Sequence, residues 1–246
     1  MLDICFHVGF AKTGSTFLQK CVFPNVKGIY YPSQKDREHF NFLWNITEYK
    51  DKNYVLPYLD KKRMNLISFE GISGSMWGKT SYEYKSINWI KESFPDAKII
   101  FFTREYDSLI KSVYKHFIRS GGTLIFDDFV DKYISKERYT FGKYIKTLNS
   151  LFKEVLILRY EDFRSDKDKI IDKVVDFVGG ELNGYEDKMI NVGITDNQVK
   201  ILRLLNHLWK TKHHNGLIKM PTNKIKLPTI YMMNSFNRFK YLMRGK

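Results

Sequence analysis

The sequence predicts an α/β fold: one domain on a central parallel sheet, three layers deep, with a helical C-terminal part. Three observations carry this. Short runs such as KIIFFT (98–103) are apolar throughout instead of alternating, as strands covered on both faces must be. Each run is followed or preceded by a stretch of helical periodicity, the β–α alternation that yields parallel sheets. The first run ends in a glycine-containing turn that leads straight into a helix.

Taken in order, ICFHVGF (4–10) is the first strand, and the segment after its turn reads as helix to about Val22. NLISFEG (65–71) is the second strand. KIIFFT is the third, entered from a turn at Pro95–Asp96 and followed by an amphipathic helix from Tyr106 to about Arg119. Residues 120–140 read as a helical excursion, and a helix near Phe141–Phe152 leads to the fourth strand, EVLILRY (154–160). DNQVKILRLLNHLWK (196–210) is a strong helix with Asp196 as the expected cap. No repeat, low-complexity tract or linker interrupts the pattern. Residues 1–210 are expected to form the domain, with 211–246 a basic, aromatic extension packed on or beside it.

The chain has 246 residues, 43% hydrophobic and 16% aromatic, which supports a sizeable core and excludes a disordered or fibrous protein. No apolar run approaches the ~20 residues of a membrane span. The start, MLDICFHVGF, lacks the basic residues and small-residue cleavage site of a secretory signal. Cys5 and Cys21 are too few for a disulfide framework or a metal cluster and read as buried thiols, so the expected setting is reducing and cytoplasmic.

Charge is unevenly spread. The 41 Lys and Arg against 27 Asp and Glu give a net +14. Eleven of the bases follow Asp196 and no acid does, which leaves 30 bases against 27 acids, or +3, before it. The final NSFNRFKYLMRGK interleaves Phe236, Phe239, Tyr241, Leu242 and Met243 with bases at spacings that suit one apolar helical face. The plainer expectation is a solvated helix whose aromatics pack on the body. The other is contact with an anionic partner, including the inner face of a membrane, where the protein would sit peripherally. A basic nucleic-acid-binding module would use this tail but leaves the first loop without a purpose.

That loop, HVGFAKTGSTFLQ (7–19), sets Gly9 and Gly14 five apart, as in G-x-x-x-x-G-K-[ST] phosphate-binding loops. Backbone amides and the helix N-terminus make such a turn a site for an anionic oxygen group, and the architecture P-loop-like. Ser15 stands where a nucleoside triphosphatase has its lysine, and the loop's one lysine is Lys12. No strand ends in a metal-holding Asp, since the third ends in Thr103–Arg104. A small-molecule kinase is therefore the weaker reading. Arg104, at the carboxyl end of a buried strand, and Ser112, eight residues on, are a guanidinium and a hydroxyl suited to a phosphate monoester. An ion pair of Arg104 with Glu105 or Asp107 is the plainer alternative.

Together these segments resemble the sulfotransferases that use 3′-phosphoadenylyl sulfate (PAPS). FAKTGST resembles their 5′-phosphosulfate loop, FFTREYDSLIKSVY their 3′-phosphate motif, and LRYEDF (158–163) a recurrent strand-end signature. The layout around INVGI (190–194) is like that of bacterial carbohydrate sulfotransferases, and the resemblance covers about residues 1–210. It departs at Tyr106, where a proline is common. It departs also in lacking a clear glycine-rich basic motif near the C-terminus, for which either Lys200 or Arg203 is a candidate substitute or there is none.

The resemblance implies PAPS as co-substrate without a metal, and a hydroxyl of a glycan or glycolipid as acceptor. Lys12 would stabilise the bridging oxygen. Thr13, Gly14, Ser15 and Thr16 would hold the 5′-phosphate, and Arg104 and Ser112 the 3′-phosphate. Glu70 is the first candidate general base, with a salt bridge to Lys12 or a neighbour as its plainer alternative, and His39 is the second. His7 reads as a packed strand residue, and His116 as solvent-facing. Trp44 and Trp77 are candidates for stacking on adenine or a sugar, or else core and rim residues.

Overall fold

The computed structural model describes residues 2–44, 50–78, 83–187, 193–210, 213, 215–216 and 218–219. They fall into two compact units, one of the described residues within 1–111 and 130–191, the other of those within 112–129 and 192–246.

The first unit holds a five-stranded sheet, β1 (Ile4–His7), β2 (Ile29–Tyr30), β3 (Met64–Ser68), β4 (Lys98–Thr103) and β5 (Val155–Arg159), in the order β2-β3-β1-β4-β5. Every pairing is parallel. From β1 the chain goes to the edge strand β2, returns inward as β3 beside β1, then crosses to β4 on the other side. The carboxyl ends of β3, β1 and β4 thus lie side by side where the winding reverses, the place where open α/β sheets bind ligands.

Alternation along the strands sorts side chains into two cores. Cys5, Leu66, Ile100 and Phe102 pack with Leu18, Val22 and Phe23, and with Ile170, Ile171, Val174 and Val178 of a C-terminal helix. On the opposite face Phe6 meets Phe40 and Phe94 at 6.3 and 5.9 Å, and Phe101 meets Phe141 and Tyr144 at 5.4 and 5.1 Å. These layers explain why the strands are apolar on both sides.

The helices are α1 (Ser15–Phe17), continued by a π-helical turn over Leu18–Val22, then α2 (Gln34–Arg37), α3 (Glu83–Ser93), α4 (Tyr106–Arg119), α5 (Phe126–Tyr133), α6 (Lys136–Tyr139), α7 (Gly142–Leu151), α8 (Tyr160–Ser165), α9 (Lys167–Val178) and α10 (Asp196–Leu208). The four expected strands and the helices over 106–119 and 141–152 are present. The two-residue edge strand β2 carries no apolar run of its own and escapes a pattern search. The second strand stops at Ser68, although Phe69 N–H still donates to His7 O at 3.1 Å, and Glu70 opens a 3₁₀ turn (Glu70–Ser73) instead of ending the strand.

The second unit is built around α10 and the last part of α4. Phe117 packs on Phe129 at 4.9 Å, and the buried Asn206 amide donates to Ile118 O and Gly122 O, both at 2.8 Å. The cap of α10 is Thr195, not Asp196: Thr195 Oγ1 accepts from Gln198 N–H at 3.3 Å while Gln198 Oε1 accepts from Thr195 N–H at 2.8 Å, a reciprocal box. Asp196 instead pairs with Lys115 at 2.9 Å. A two-residue parallel pair joins Trp209–Lys210 to Ile218–Lys219. Most of 211–246, and part of INVGI, lie outside the described residues.

Asn65 ties the start of the sheet together. Fully buried, it donates through Nδ2 to Asp3 O, Asp60 O and Arg63 O at 3.0, 2.8 and 3.1 Å and accepts at Oδ1 from Asp60 N–H at 2.7 Å. Asn65→Ala is expected to cost about 2–4 kcal/mol in urea unfolding, because it strands buried partners. The exposed Asn53→Ala should stay within about 0.5 kcal/mol.

Candidate functional site

The loop after β1 is held before it turns. Val8 N–H donates to Ile100 O at 3.0 Å, Phe102 N–H to Gly9 O at 2.8 Å and Phe10 N–H to Phe102 O at 3.2 Å, so pairing with β4 runs three residues past the strand. Gly9, Lys12 and Gly14 then take left-handed backbone conformations, with φ of 103°, 68° and 92°. For Lys12 this is costly, since a side chain disfavours that region. The turn is closed from within: the buried Thr13 hydroxyl donates to Phe10 O at 2.5 Å, and Ser15 Oγ reaches the same carbonyl at 3.5 Å. Lys12 and Thr16 are half-buried beside this knot.

Glycine is required where other segments close on the loop. A Cβ on Gly9 would stand 3.1 Å from Glu70 O, and one on Gly14 would stand 2.9 Å from Phe163 Cε1 of α8. The first contact brings the turn after β3 against the loop, and with it the Glu70 carboxyl. Burial pushes that carboxyl above the usual carboxylate range, against the pull of the Lys12 ammonium and of a hydrogen bond from Ser15. A lysine, a hydroxyl and a raised carboxyl, far apart in sequence, thus share one site.

Arg104 completes it from β4. Its Nη1 donates to Lys12 O at 2.6 Å, its Nε to Ser108 Oγ at 2.9 Å, and the guanidinium lies 4.4 Å from the Tyr160 ring centroid. The ion pair with a sequence neighbour is taken by another residue: Glu105 binds Arg159 at 2.9 Å, and its N–H donates to Glu161 Oε1 at 3.1 Å. The RYEDF stretch, which runs from the end of β5 into α8, therefore acts through Tyr160 on Arg104, through Glu161 on the chain after it, and through Phe163 on Gly14. Ser112 is half-buried on α4, four residues beyond Ser108 and so on the same helical face.

The remaining candidates separate. His7 is fully buried, shares a 2.7 Å hydrogen bond with Ser68 Oγ, and is pulled down to about 3 by burial, the packed strand residue expected. Cys5 and Cys21 are both buried, and burial pushes the Cys5 thiol up. His39 stacks on Tyr58 at 3.6 Å with Tyr54 at its edge. His116 is half-buried. Trp44 is 55% exposed, with its Cβ 3.1 Å from where a Cβ on Gly71 would be; Trp77 is half-buried. On α10, Lys200 is exposed and Arg203 Nη1 donates to Thr123 O at 3.5 Å.

Sequence reading passed over Arg138 and Glu83. Arg138 pairs with Glu83 at 3.5 Å and donates to Ser73 O at 3.1 Å and Ser75 O at 2.6 Å, just after the Glu70 turn. No local signal marks it, because these partners lie about sixty residues upstream and a base in a helical excursion looks solvated.

Gly14→Ala is expected to lower stability by about 1–3 kcal/mol through its positive φ and the Phe163 contact. Gly142→Ala, with nothing near its Cβ, should be neutral or slightly stabilising. Thermal melts of the two variants check this.

The family model described as the sulfotransferase family matches residues 25–184, well over half of the chain and starting beyond the first loop. A sulfotransferase from Alicyclobacillus acidocaldarius is similar in structure, with 16% identity, a TM-score of 0.55, and coverage of 84% of this chain and 93% of that one. Mouse sulfotransferase SULT7A1 complexed with PAP gives 0.47 at 16% identity, over 99% and 85% of the two chains. The sulfotransferase domain from the curacin biosynthetic pathway gives 0.43 at 14%, over 96% and 98%. No curated protein matches by sequence. The first of these likenesses supports the fold, and with the family match it places the chain in the sulfotransferase family of enzymes.

Proposed function

We propose that the protein transfers a sulfuryl group from PAPS to a hydroxyl of a glycan or glycolipid. The observation that carries this is the convergence of Lys12, Ser15 and Glu70 on one loop, with Arg104 bound to the carbonyl of Lys12. A fixed cation, an anion-binding turn and a base with a raised pKa are the parts that in-line transfer to a hydroxyl needs.

The acceptor hydroxyl gives its proton to Glu70 as its oxygen bonds to sulfur. The bond from sulfur to the bridging oxygen breaks, and negative charge collects on the departing 5′-phosphate. Lys12 meets that charge from a conformation already set by the loop, which makes the stabilisation stronger in the transition state than before it. Gly14, Ser15 and Thr16 hold the 5′-phosphate through amides and hydroxyls, and Thr13 through its backbone, its hydroxyl being turned inward. Arg104 and Ser112 take the 3′-phosphate, the group that distinguishes PAPS from ATP, with Ser108 steering the guanidinium toward that helix face. A kinase would need a lysine at Ser15. The eleven bases after Asp196 fit an anionic acceptor or the membrane that presents it.

Adenosine 3′,5′-bisphosphate is expected to stabilise the protein by about 2.7 kcal/mol at a hundredfold excess over Kd, with no such effect from ATP and Mg²⁺. Lys12→Ala should lower kcat by about 10²–10³-fold without shifting the melting temperature. Loss of the fold instead would make Lys12 structural.

Glu70 serves as a base only when ionised, and its carboxyl is raised above the ordinary 4.5. The rate should therefore fall as pH drops through that raised value, and Glu70→Gln should remove this acid limb along with about 10²–10⁴-fold of the rate. His39→Ala should leave the limb in place; its disappearance would transfer the role to His39.

A further inference from the structure

A cavity of about 160 Å³ opens beside the loop, walled by Phe10, Ser73, Glu83, Tyr84, Arg138 and Tyr144. Phe10 lies two residues before Lys12 and Ser73 three after Glu70. The Ser73 hydroxyl donates to Val8 O and its carbonyl accepts from Arg138, while Tyr139 OH donates to Met76 O at 2.6 Å. The cavity wall and the turn that carries Glu70 are thus one hydrogen-bonded piece.

Its chemistry is specific. Glu83 and Arg138 form an ion pair with side chains only 10% and 9% exposed, yet Glu83 Oε2 is buried with no hydrogen-bond partner. Leaving such an acceptor unmet costs about 1–3 kcal/mol or more. Glu137 and Lys143, at the mouth, also pair, at 3.5 Å. Among the described lining residues two carboxylates are therefore matched by two cations, which together offer an anion or a cation no net attraction. Aromatic surface supplies the rest: Tyr84 meets Tyr144 edge-on at 6.0 Å, and Phe10 meets Phe141 at 5.2 Å. A neutral molecule with hydroxyl donors and an apolar ring face satisfies each of these features.

We propose that this cavity is the acceptor subsite and takes one neutral, polyhydroxylated ring, a hydroxyl of which donates to Glu83 Oε2 while its C–H face lies on Tyr84. This rests on the glycan reading above and names the residues that select the acceptor. Arg138 is a positioning residue here: its Nη2 donates to Ser73 O and Ser75 O, and its Nε, buried without a hydrogen bond, faces the Glu83 carboxylate at 3.5 Å and holds it at the cavity.

The test is saturation-transfer NMR on the full chain saturated with adenosine 3′,5′-bisphosphate, with methyl glycosides of glucose, galactose and N-acetylglucosamine as probes. At least one glycoside should bind, and Glu83→Gln should weaken it at least about tenfold while the bisphosphate Kd changes less than twofold. Tyr84→Ala, which leaves the ion pair intact, should weaken the same glycoside and decides the matter if Glu83→Gln does not fold. Bisphosphate binding with no glycoside signal, or with a signal equal in wild type and variant, overturns the subsite and leaves the co-substrate reading standing. Failure of the bisphosphate to bind overturns that reading, and the acceptor subsite with it.

Discussion

Pairing between β1 and β4 does not end where the strands do. It continues through Val8, Gly9 and Phe10, and the Phe10 carbonyl then receives the Thr13 and Ser15 hydroxyls. A loop anchored this way can carry a lysine at φ 68° without relaxing, because the residues on either side are already committed. Arg104 leaves β4 next to this loop and donates to the carbonyl of Lys12, so the two cations are referred to the same pair of strands. Without that extended ladder neither would have a defined position.

Against this frame the other elements supply contacts from outside. The turn after β3 closes on Gly9 and brings Glu70; α8 closes on Gly14 and Arg104 through Phe163 and Tyr160. Both approaches depend on a missing Cβ, which gives the two loop glycines a steric reason beyond their φ values. Desolvation of Glu70 follows from the same closeness, so the raised carboxyl is a consequence of packing and needs no separate device.

Much of this was legible in the chain. The apolar runs at 4–10, 65–71, 98–103 and 154–160 identify four strands because burial on both faces leaves no polar position to hide them. Spacing alone singled out Lys12 and Arg104, since a glycine turn after a strand and an arginine at a strand end are local features. The short edge strand and the Thr195 cap were missed, the first for want of length. The cap was missed because Asp196 is an adequate cap by type, and only the structure shows Thr195 holding Gln198 N–H while Asp196 pairs with Lys115.

What the sequence determined by itself was therefore the fold class and the position of the glycine loop and of the arginine at the strand end, whose signals lie within ten or so residues. Tertiary structure alone decided which distant groups meet: Glu70 with Lys12 and Ser15, Tyr160 with Arg104, and Glu83 with Arg138. Periodicity reports which face of an element is buried, but not which neighbour covers it. The uneven charge shows the same division. Its location after Asp196 is read directly from the chain, whereas the few cations that define the site stand out only once the sheet has brought their loops together.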